Sequence, residues 1–584
     1  MQSVDQPNTG ATKDCTPISR LYEDILWKIF LENTESFDNS NRLATARFSS
    51  HVCQQWRRLL LDAPSIWGRL LDLNELRTAK PAWVEEIMRR AGTARLWIRG
   101  PINRLTEHNS GLLLTFISEN WTRIERLRIS DSWLSRRVER EDYYDSREQY
   151  WHDLFRQPAP VLEEFVFRYL LEDRSHRGPD INTWVLPSPL FDASAPALQK
   201  FAVFRSGFVA HRLSFRGFTM DMCPAWFSDL RSFKLRQDYD VTRLLGFLKM
   251  ILRLEVLEVV RSSNAMQSEE HNETLVKLPN LTYLRLDGWN LSDMVMFLES
   301  IAPCTRCCLS ISRPPETISV LDVEDVKRAQ IILMRYMQNY LQYYPIQRLT
   351  LSCNDQCLEI RETSLANDDD DDDDLPERMQ APFSIWMLRT EDDSSLFHML
   401  FTSPLFFNVV ELDLRKWKRT IPYPAHAFNS VTTLWIKYNS LKALVKHLEE
   451  GHTHIFPRLD VLKIGGRAIR VDVMYKESLY RFLKTRREVS KPVSVLDLSP
   501  LKTCDIYCNL DNLDKLAGLV VRFPGVQRHK ASSDIREYVC GDGQPGLLRF
   551  GDTKGQCDIG CIDLRRMNPL RSYGWSGTVC TVEN

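Results

Sequence analysis

The chain has 584 residues, and 43% of them are hydrophobic, which suits several folded domains and excludes a wholly disordered protein. Its 76 basic and 77 acidic residues nearly cancel, so the strong positive charge typical of nucleic-acid-binding domains is missing. The first fifteen residues lack the apolar core of a secretory signal, and no later run of eighteen apolar residues could span a bilayer. We expect a soluble protein of the cytoplasm, the nucleus or both, binding neither membrane nor nucleic acid.

Residues 1–16 are polar and are predicted to be a flexible terminus. The segment ISRLYEDILWKIFLE then places apolar residues at helical spacing, and HVCQQWRRLLL does so again after the polar stretch NTESFDNSNRLATARF, which is predicted to be a loop. Pro64 suits the first turn of a further helix that carries Trp67. Together these patterns predict a small helical module over residues 17–71.

The order and spacing of these residues resemble the F-box, a motif of about fifty residues. The matching positions, with Tyr22 where the family generally has proline, are Leu21, Tyr22, Ile25, Leu26, Ile29, Phe30, Val52, Cys53, Trp56, Arg57, Pro64 and Trp67. The resemblance implies that these residues dock onto the small adaptor of a cullin-RING ubiquitin ligase and through it onto the cullin scaffold. The alternative is that they form only an internal core.

The pattern L-x-x-L-x-L recurs along the rest of the chain, with helical patterns between its copies. Its fourth positions lie 22 to 40 residues apart, except for one gap of 63 between Leu349 and Leu412 that has room for a degenerate unit at SIWMLRT. The copies are Ile124, Leu127, Ile129; Leu162, Phe165, Phe167; Leu198, Phe201, Val203; Leu230, Phe233, Leu235; Leu254, Leu257, Val259; Leu281, Leu284, Leu286; Ile346, Leu349, Leu351; Val409, Leu412, Leu414; Val431, Leu434, Ile436; Leu459, Leu462, Ile464; and Val493, Leu496, Leu498, with weaker copies at Leu96 with Ile98 and at Leu309 with Ile311.

A short strand followed by a helix cannot bury its apolar face alone, so such units must stack on their neighbours. The repeats resemble irregular leucine-rich repeats over residues 90–500. We therefore predict an α/β solenoid preceded by the all-α module.

Strand alternation predicts which residues face the open side of the strands, away from the helices. The candidates for binding a target protein are Trp97, Arg128, Lys234, Arg285, Trp435 and Lys463, with Glu258, Asp413 and Asp497 at equivalent positions. Tryptophan and arginine are common in interface hot spots.

The seven residues Asp368–Asp374 repel one another and predict a disordered acidic insertion at about 364–378. Without this run the chain has 76 basic against 70 acidic residues, an excess of only six. The run lacks the central glycine of a calcium loop.

Residues 501–584 lack the repeat frame and form a segment of unclear fold. Cys557, Cys561, Cys540 and Cys580, or the pair Cys504 and Cys508, are more loosely spaced than usual zinc ligands, so thiols are expected. The sequence GDGQPG at 541–546 satisfies G-x-G-x-x-G without a following helical pattern, which argues against a dinucleotide site.

Established catalytic motifs such as a P-loop, H-E-x-x-H or G-x-S-x-G do not occur. The resemblances together imply a non-catalytic subunit, without cofactors, that recognises a target for a ubiquitin ligase. Two alternatives remain: a repeat scaffold whose helical module only covers the end of the solenoid, and an enzyme whose catalytic groups come from distant parts of the chain.

Overall fold

The computed structural model divides the chain into two compact units, Met1–Val409 and Val410–Asn584. The boundary lies within the predicted repeats, where the sequence shows no change in composition. The residues that the structure describes are 21–35, 41–102, 105–132, 142–170, 186–187, 189–206, 225–236, 241–260, 275–302, 305–311, 323–354, 356–363, 383–389, 394–402, 404–417, 427–449, 455–465, 473–501, 509–524 and 535–550. The expectations for residues 1–16, the aspartate run, Cys504, Cys508, Cys557, Cys561 and Cys580 lie outside these ranges.

The first unit contains twelve helices and twelve strands within the described ranges. The helices are α1 (Glu23–Glu35), α2 (Arg42–Ser49), α3 (Gln54–Leu61), α4 (Pro64–Gly68), α5 (Leu73–Leu76), α6 (Pro81–Ala91), α7 (Glu107–Glu119), α8 (Asp142–Phe155), α9 (Val241–Leu248), α10 (Leu291–Ser300), α11 (Val323–Tyr343) and α12 (Ser394–Thr402). The strands are β1 (Leu71–Asp72), β2 (Leu96–Pro101), β3 (Ile124–Ser132), β4 (Glu164–Leu170), β5 (Lys200–Ser206), β6 (Ser232–Arg236), β7 (Val256–Val260), β8 (Tyr283–Asp287), β9 (Cys308–Ile311), β10 (Arg348–Cys353), β11 (Cys357–Glu362) and β12 (Ser384–Leu388).

Strands β1 to β9 pair in chain order, and every pair is parallel. The fourth position of each repeat lies opposite the fourth position of the next, so these residues form one continuous buried column. Phe165, Phe201 and Phe233 stack along this column with ring centroids 5.6 and 6.0 Å apart. Aromatic residues therefore replace leucine where neighbouring repeats supply a stacking partner.

The order of pairing changes after β9. The strand β12, formed by the predicted degenerate unit, pairs in parallel with β9 through Ser384 and Ser310. The strands β10 and β11 instead form an antiparallel hairpin that continues into β12. The frame at Ile346, Leu349 and Leu351 is thus a buried strand, as predicted, but it does not occupy the next parallel position beside β9.

The second unit has two α-helices and six strands within the described ranges. They are α13 (Tyr438–Glu449), α14 (Val473–Glu488), β13 (Glu411–Trp417), β14 (Thr433–Ile436), β15 (Val461–Ile464), β16 (Val495–Asp497), β17 (Val520–Pro524) and β18 (Ile535–Val539). Strands β13 to β17 are parallel neighbours, and β18 closes the series in antiparallel pairing with β17. The parallel series continues beyond residue 500, where the repeat frame was expected to end.

Each unit therefore has the stacked strand and helix arrangement of an α/β solenoid. The helical patterns at NLSDMVMFLESIAP, SLKALVKHLEEG and YKESLYRFLKTRREV correspond to α10, α13 and α14. Asn290 caps α10, because its side-chain oxygen accepts a hydrogen bond from the Asp293 amide at 2.8 Å.

Candidate interaction surfaces

Part of the predicted adaptor-binding set holds the helical module together. Leu26, Phe30 and Trp67 are buried, and the Trp67 indole nitrogen donates to the Leu60 carbonyl at 2.7 Å. Phe30 meets Trp56 edge to face with ring centroids 5.0 Å apart. These positions supply an internal core rather than a contact surface.

A second part of the set is exposed and apolar. Tyr22 is 78% exposed and Val52 is 58% exposed, and Ile25 and Ile29 are exposed on α1. Because Tyr22, Ile25 and Ile29 are spaced by three and four residues, they share one face of the helix start. The structure adds Phe48, 75% exposed at the end of α2. We call Tyr22, Ile25, Ile29, Phe48 and Val52 the exposed apolar set.

The remaining predicted positions lie before, within or at the start of the helices. Leu21 is half-buried just before α1, Arg57 is exposed on α3, and exposed Pro64 is the first residue of α4. Cys53 is exposed and caps α3, since its sulfur accepts a hydrogen bond from the Trp56 amide at 3.5 Å.

The stretch predicted to be a polar loop contains α2, so this prediction is wrong. Arg42 is buried and donates to the carbonyls of Thr34 at 3.2 Å and Arg69 at 2.9 Å. The Glu75 carboxylate accepts from the first amides of α2, those of Leu43 and Ala44. Burial raises the pKa of Glu75, although these amides oppose the shift. The periodicity of Leu43 and Ala46 was too short to predict this helix.

The helical module is packed directly against the first repeat. Gly68 ends α4 where an added Cβ would lie 2.4 Å from the Arg95 carbonyl oxygen, just before β2. Arg99 on β2 pairs with the buried Asp72 carboxylate on β1 at 2.6 Å. These contacts fix the module on the end of the strand series.

Trp97 is one of the candidates for binding a target protein. It lies on the open side of β2, as alternation predicted, but it is only 2% exposed in this structure. Its indole nitrogen donates to Glu125 at 2.7 Å, and the guanidinium groups of Arg69 and Arg126 lie 4.3 and 3.9 Å from its ring centroid. Sequence alternation placed the ring on the correct side but could not reveal the two arginines that cover it.

Trp435 repeats this arrangement in the second unit. Its indole nitrogen donates to Glu411 at 2.5 Å, and Arg415 and Lys463 lie 4.7 and 4.5 Å from the ring centroid. A Cβ on Gly465 would approach Arg415 Cδ to 3.1 Å, so the glycine makes room for the arginine. Both Trp435 and Lys463 are among the predicted candidates. They are half-buried and lie next to each other on neighbouring strands.

The other three candidates are half-buried in ion pairs. Arg128 pairs with Glu164 on the next strand, Lys234 with Glu258 at 2.7 Å, and Arg285 with Asp287 at 2.7 Å. Asp413, at an equivalent position, receives a bidentate contact from Arg415. The open side therefore carries charged networks in which each candidate is already held in a fixed geometry.

A buried polar cluster joins β9, α11 and β11. The Tyr340 hydroxyl donates to Glu362 at 3.3 Å and also contacts the Cys308 thiol. Burial raises the pKa of Cys308 to about 12 and raises the pKa values of Tyr340 and Glu362. A thiol with so high a pKa is a poor nucleophile, so this cluster lacks the activation expected of a catalytic cysteine.

Within the described ranges, no group of three histidine, cysteine or acidic side chains could hold a metal ion. No helix there is both long and apolar enough to cross a membrane. A small apolar cavity of about 30 Å³ lies between Trp289, Gln330 and Trp386. The glycines of GDGQPG lead from β18 into a 3-10 helix at Pro545–Leu548. No α-helix follows them as far as residue 550, where the described range ends, in agreement with the absence of a helical pattern in the sequence.

Comparison with known protein families gives no match for this chain, and comparison with curated proteins gives no similar sequence.

Proposed function

We propose that the protein is a substrate-recognition subunit of a cullin-RING ubiquitin ligase. Its helical module would bind the ligase adaptor, and the open side of its strands would bind the target. The observation that carries the proposal is the exposed apolar set on a module that already has its own core. Exposed aromatic and aliphatic side chains on short helices suit a partner with an apolar groove, in which a few anchors supply most of the affinity.

The division between core and surface supports an external role for the module. If the matched positions served only an internal core, Tyr22, Ile25, Ile29 and Val52 would be buried with Leu26 and Phe30. They are exposed instead. Binding that buries the exposed part of these side chains would recover about 25 cal/mol for each Å² of apolar surface removed from water.

The test is co-expression of the full chain with the ligase adaptor, followed by measurement of their affinity. Ile25→Asp with Ile29→Asp should weaken the complex by at least about a hundredfold, because two charges would enter an apolar contact. Trp27→Asp is the matched control, since Trp27 is exposed on the same helix outside the face of Ile25 and Ile29. This control should retain binding. Circular dichroism must show that all variants remain folded.

The second candidate function is a non-ligase scaffold whose module only covers the end of the repeats. The close contact of Gly68 with Arg95 favours it, because terminal repeats need a cover. A folded natural chain that does not bind the adaptor would support this alternative and reject the ligase proposal.

A further inference from the structure

The open side of β3 to β6 carries an excess of positive charge. Its described charged side chains are five bases and two acids, because the Glu125 carboxylate reaches this side to accept the hydrogen bond from Trp97. They are Arg126, Arg128, Arg168, Lys200, Lys234, Glu125 and Glu164. We call these seven residues the basic face. The next two strands reverse the balance, because Glu258 and Asp287 accompany Arg285 on β7 and β8.

Two arginines of the basic face lie over aromatic rings. The Arg126 guanidinium is 3.9 Å from the Trp97 ring centroid, and the Arg168 guanidinium is 5.3 Å from that of Phe204. Ring contact restricts a long side chain before any ligand arrives, so less conformational entropy is lost on binding. Both groups are thus preorganised to donate hydrogen bonds to a carboxylate.

The neighbouring acids offset only part of this charge. Glu164 is almost fully buried, pairs with Arg128, and lies 3.8 Å from Lys200, and Lys234 pairs with Glu258 on β7 at 2.7 Å. Arg128 also lies directly opposite Arg99 in the strand register, and Arg99 is itself paired with the Asp72 carboxylate at 2.6 Å.

We propose that the basic face binds an acidic peptide segment of the target protein. This inference deepens the proposed function by giving the chemistry of the target. Only the statement that the bound protein is a ligase substrate rests on the proposed function. Charge complementarity favours an acidic partner. A single-stranded nucleic acid fits less well, because the Trp97 ring on which a base could stack is already covered.

The segment that carries the chain's own aspartate run is too short to reach the β3 end of the basic face, although Lys234 on β6 is only four strand spacings from β12. Seven strand spacings separate β12 from β3, about 34 Å along the sheet. Asp373 lies ten residues from both Thr363 and Phe383. A segment of ten residues reaches about 34 Å only when it is fully extended. Since Thr363 follows β11, one strand further away, the run falls short of Arg126.

The test measures fluorescence anisotropy of a labelled dodecapeptide of alternating glutamate and serine mixed with the full chain. The natural chain should bind the glutamate peptide, and this binding should weaken as the salt concentration rises. It should not bind the same peptide with glutamine in place of glutamate. Arg126→Gln with Arg168→Gln should weaken binding by about tenfold or more. The matched control, Lys327→Gln with Arg335→Gln, removes the same charge from exposed positions on α11 and should leave binding unchanged.

Equal binding by the two double variants, or no binding by the natural chain, would overturn the proposal. Tighter binding of labelled oligouridylate than of the peptide would assign the face to nucleic acid. Binding that occurs only after Asp368–Asp374 are all changed to asparagine would assign it to the chain's own run. Arg126→Lys with Arg168→Lys keeps the positive charge. If this variant still binds the peptide, the loss of binding in the glutamine variant is due to the lost charge and not to misfolding. Adaptor affinity, measured separately, distinguishes failure of the ligase proposal from failure of this one.

Discussion

Trp435 and Glu411 lie on neighbouring strands and share a hydrogen bond of 2.5 Å between the indole nitrogen and the carboxylate. Trp97 and Glu125 share the equivalent bond at 2.7 Å in the other unit. In both cases two cationic side chains cover the ring. The same chemistry has therefore formed twice on the open side of the strands, and both rings are fixed in place.

Glu411→Gln should loosen the Trp435 arrangement. The change replaces a charge-assisted hydrogen bond by a neutral one and removes the carboxylate 3.8 Å from Lys463. We expect a loss of about 1 kcal/mol in stability and faster hydroxyl-radical labelling of Trp435, read by mass spectrometry. Glu477→Gln, in an exposed pair with Arg481, should change neither quantity. Equal labelling in both variants would contradict the role given to Glu411.

Gly68→Ala should destabilise the first unit. The new Cβ would lie 2.4 Å from the Arg95 carbonyl oxygen, and a backbone atom cannot move aside cheaply. A clear fall in melting temperature is expected, of the size produced by overpacking at about 1–3 kcal/mol. Gly111→Ala provides the control, because its Cβ would meet nothing within 4 Å on α7 and should stabilise the helix by about 1 kcal/mol.

Arg486→Ala should destabilise the second unit. The Arg486 side chain is buried and donates to the Ile455 carbonyl at 2.7 Å and the Leu459 carbonyl at 3.4 Å, and burial lowers its pKa to about 10. Its loss would leave both carbonyls without this donor and create a cavity, at a cost of about 3 kcal/mol in chemical denaturation. Arg487→Ala, at the adjacent exposed position, should cost less than about 0.5 kcal/mol.

Cys53 should react with iodoacetamide much faster than Cys308 in the native chain. Cys53 is exposed, whereas Cys308 is buried and its pKa is raised to about 12. Peptide mapping after brief alkylation near neutral pH measures both sites. Rapid labelling of Cys308 would contradict its burial. If the proposed adaptor binds, it should slow the labelling of Cys53, because Cys53 adjoins Val52 of the exposed apolar set.

Glu362 should make stability fall as pH rises. Burial raises its pKa above 4.5, so its folded form retains a proton that the unfolded form has released. Its contribution is complete below about pH 4.5 and is lost as pH rises through the raised pKa. Melting temperatures at about pH 5 and pH 8 should therefore differ less for Glu362→Gln than for the natural chain. An identical difference in both would reject this assignment.

Much of the fold could be predicted because period-two alternation is a local signal. The frames with Leu284, Leu434 and Leu462 all proved to be parallel strands with those leucines buried. The hairpin of β10 and β11 was not predictable from the same signal, since Leu349 fits the frame whether its strand is parallel or antiparallel. Pairing direction depends on distant contacts.

The candidate surfaces were predicted less completely. Helical spacing identified Tyr22, Ile25 and Ile29 but could not separate them from buried Leu26 and Phe30. Side-chain pairing across strands decides whether Trp97 is open or covered, and Arg69 is far from it in sequence. Phe48 was missed because α2 is only eight residues long and its amphipathic pattern is too brief to detect.

The in-register strands constrain how this chain can tolerate insertions and deletions. Segments between repeats vary widely in length, and lengthening a surface connection adds little closure entropy. A single residue inserted directly after Glu164 would instead exchange the two faces of the rest of β4, placing Arg168 among the buried phenylalanines and Phe165 in water. The connections between strands can therefore change in length. Within a strand, however, the alternation of buried and open-side residues is fixed by pairing with both neighbouring strands.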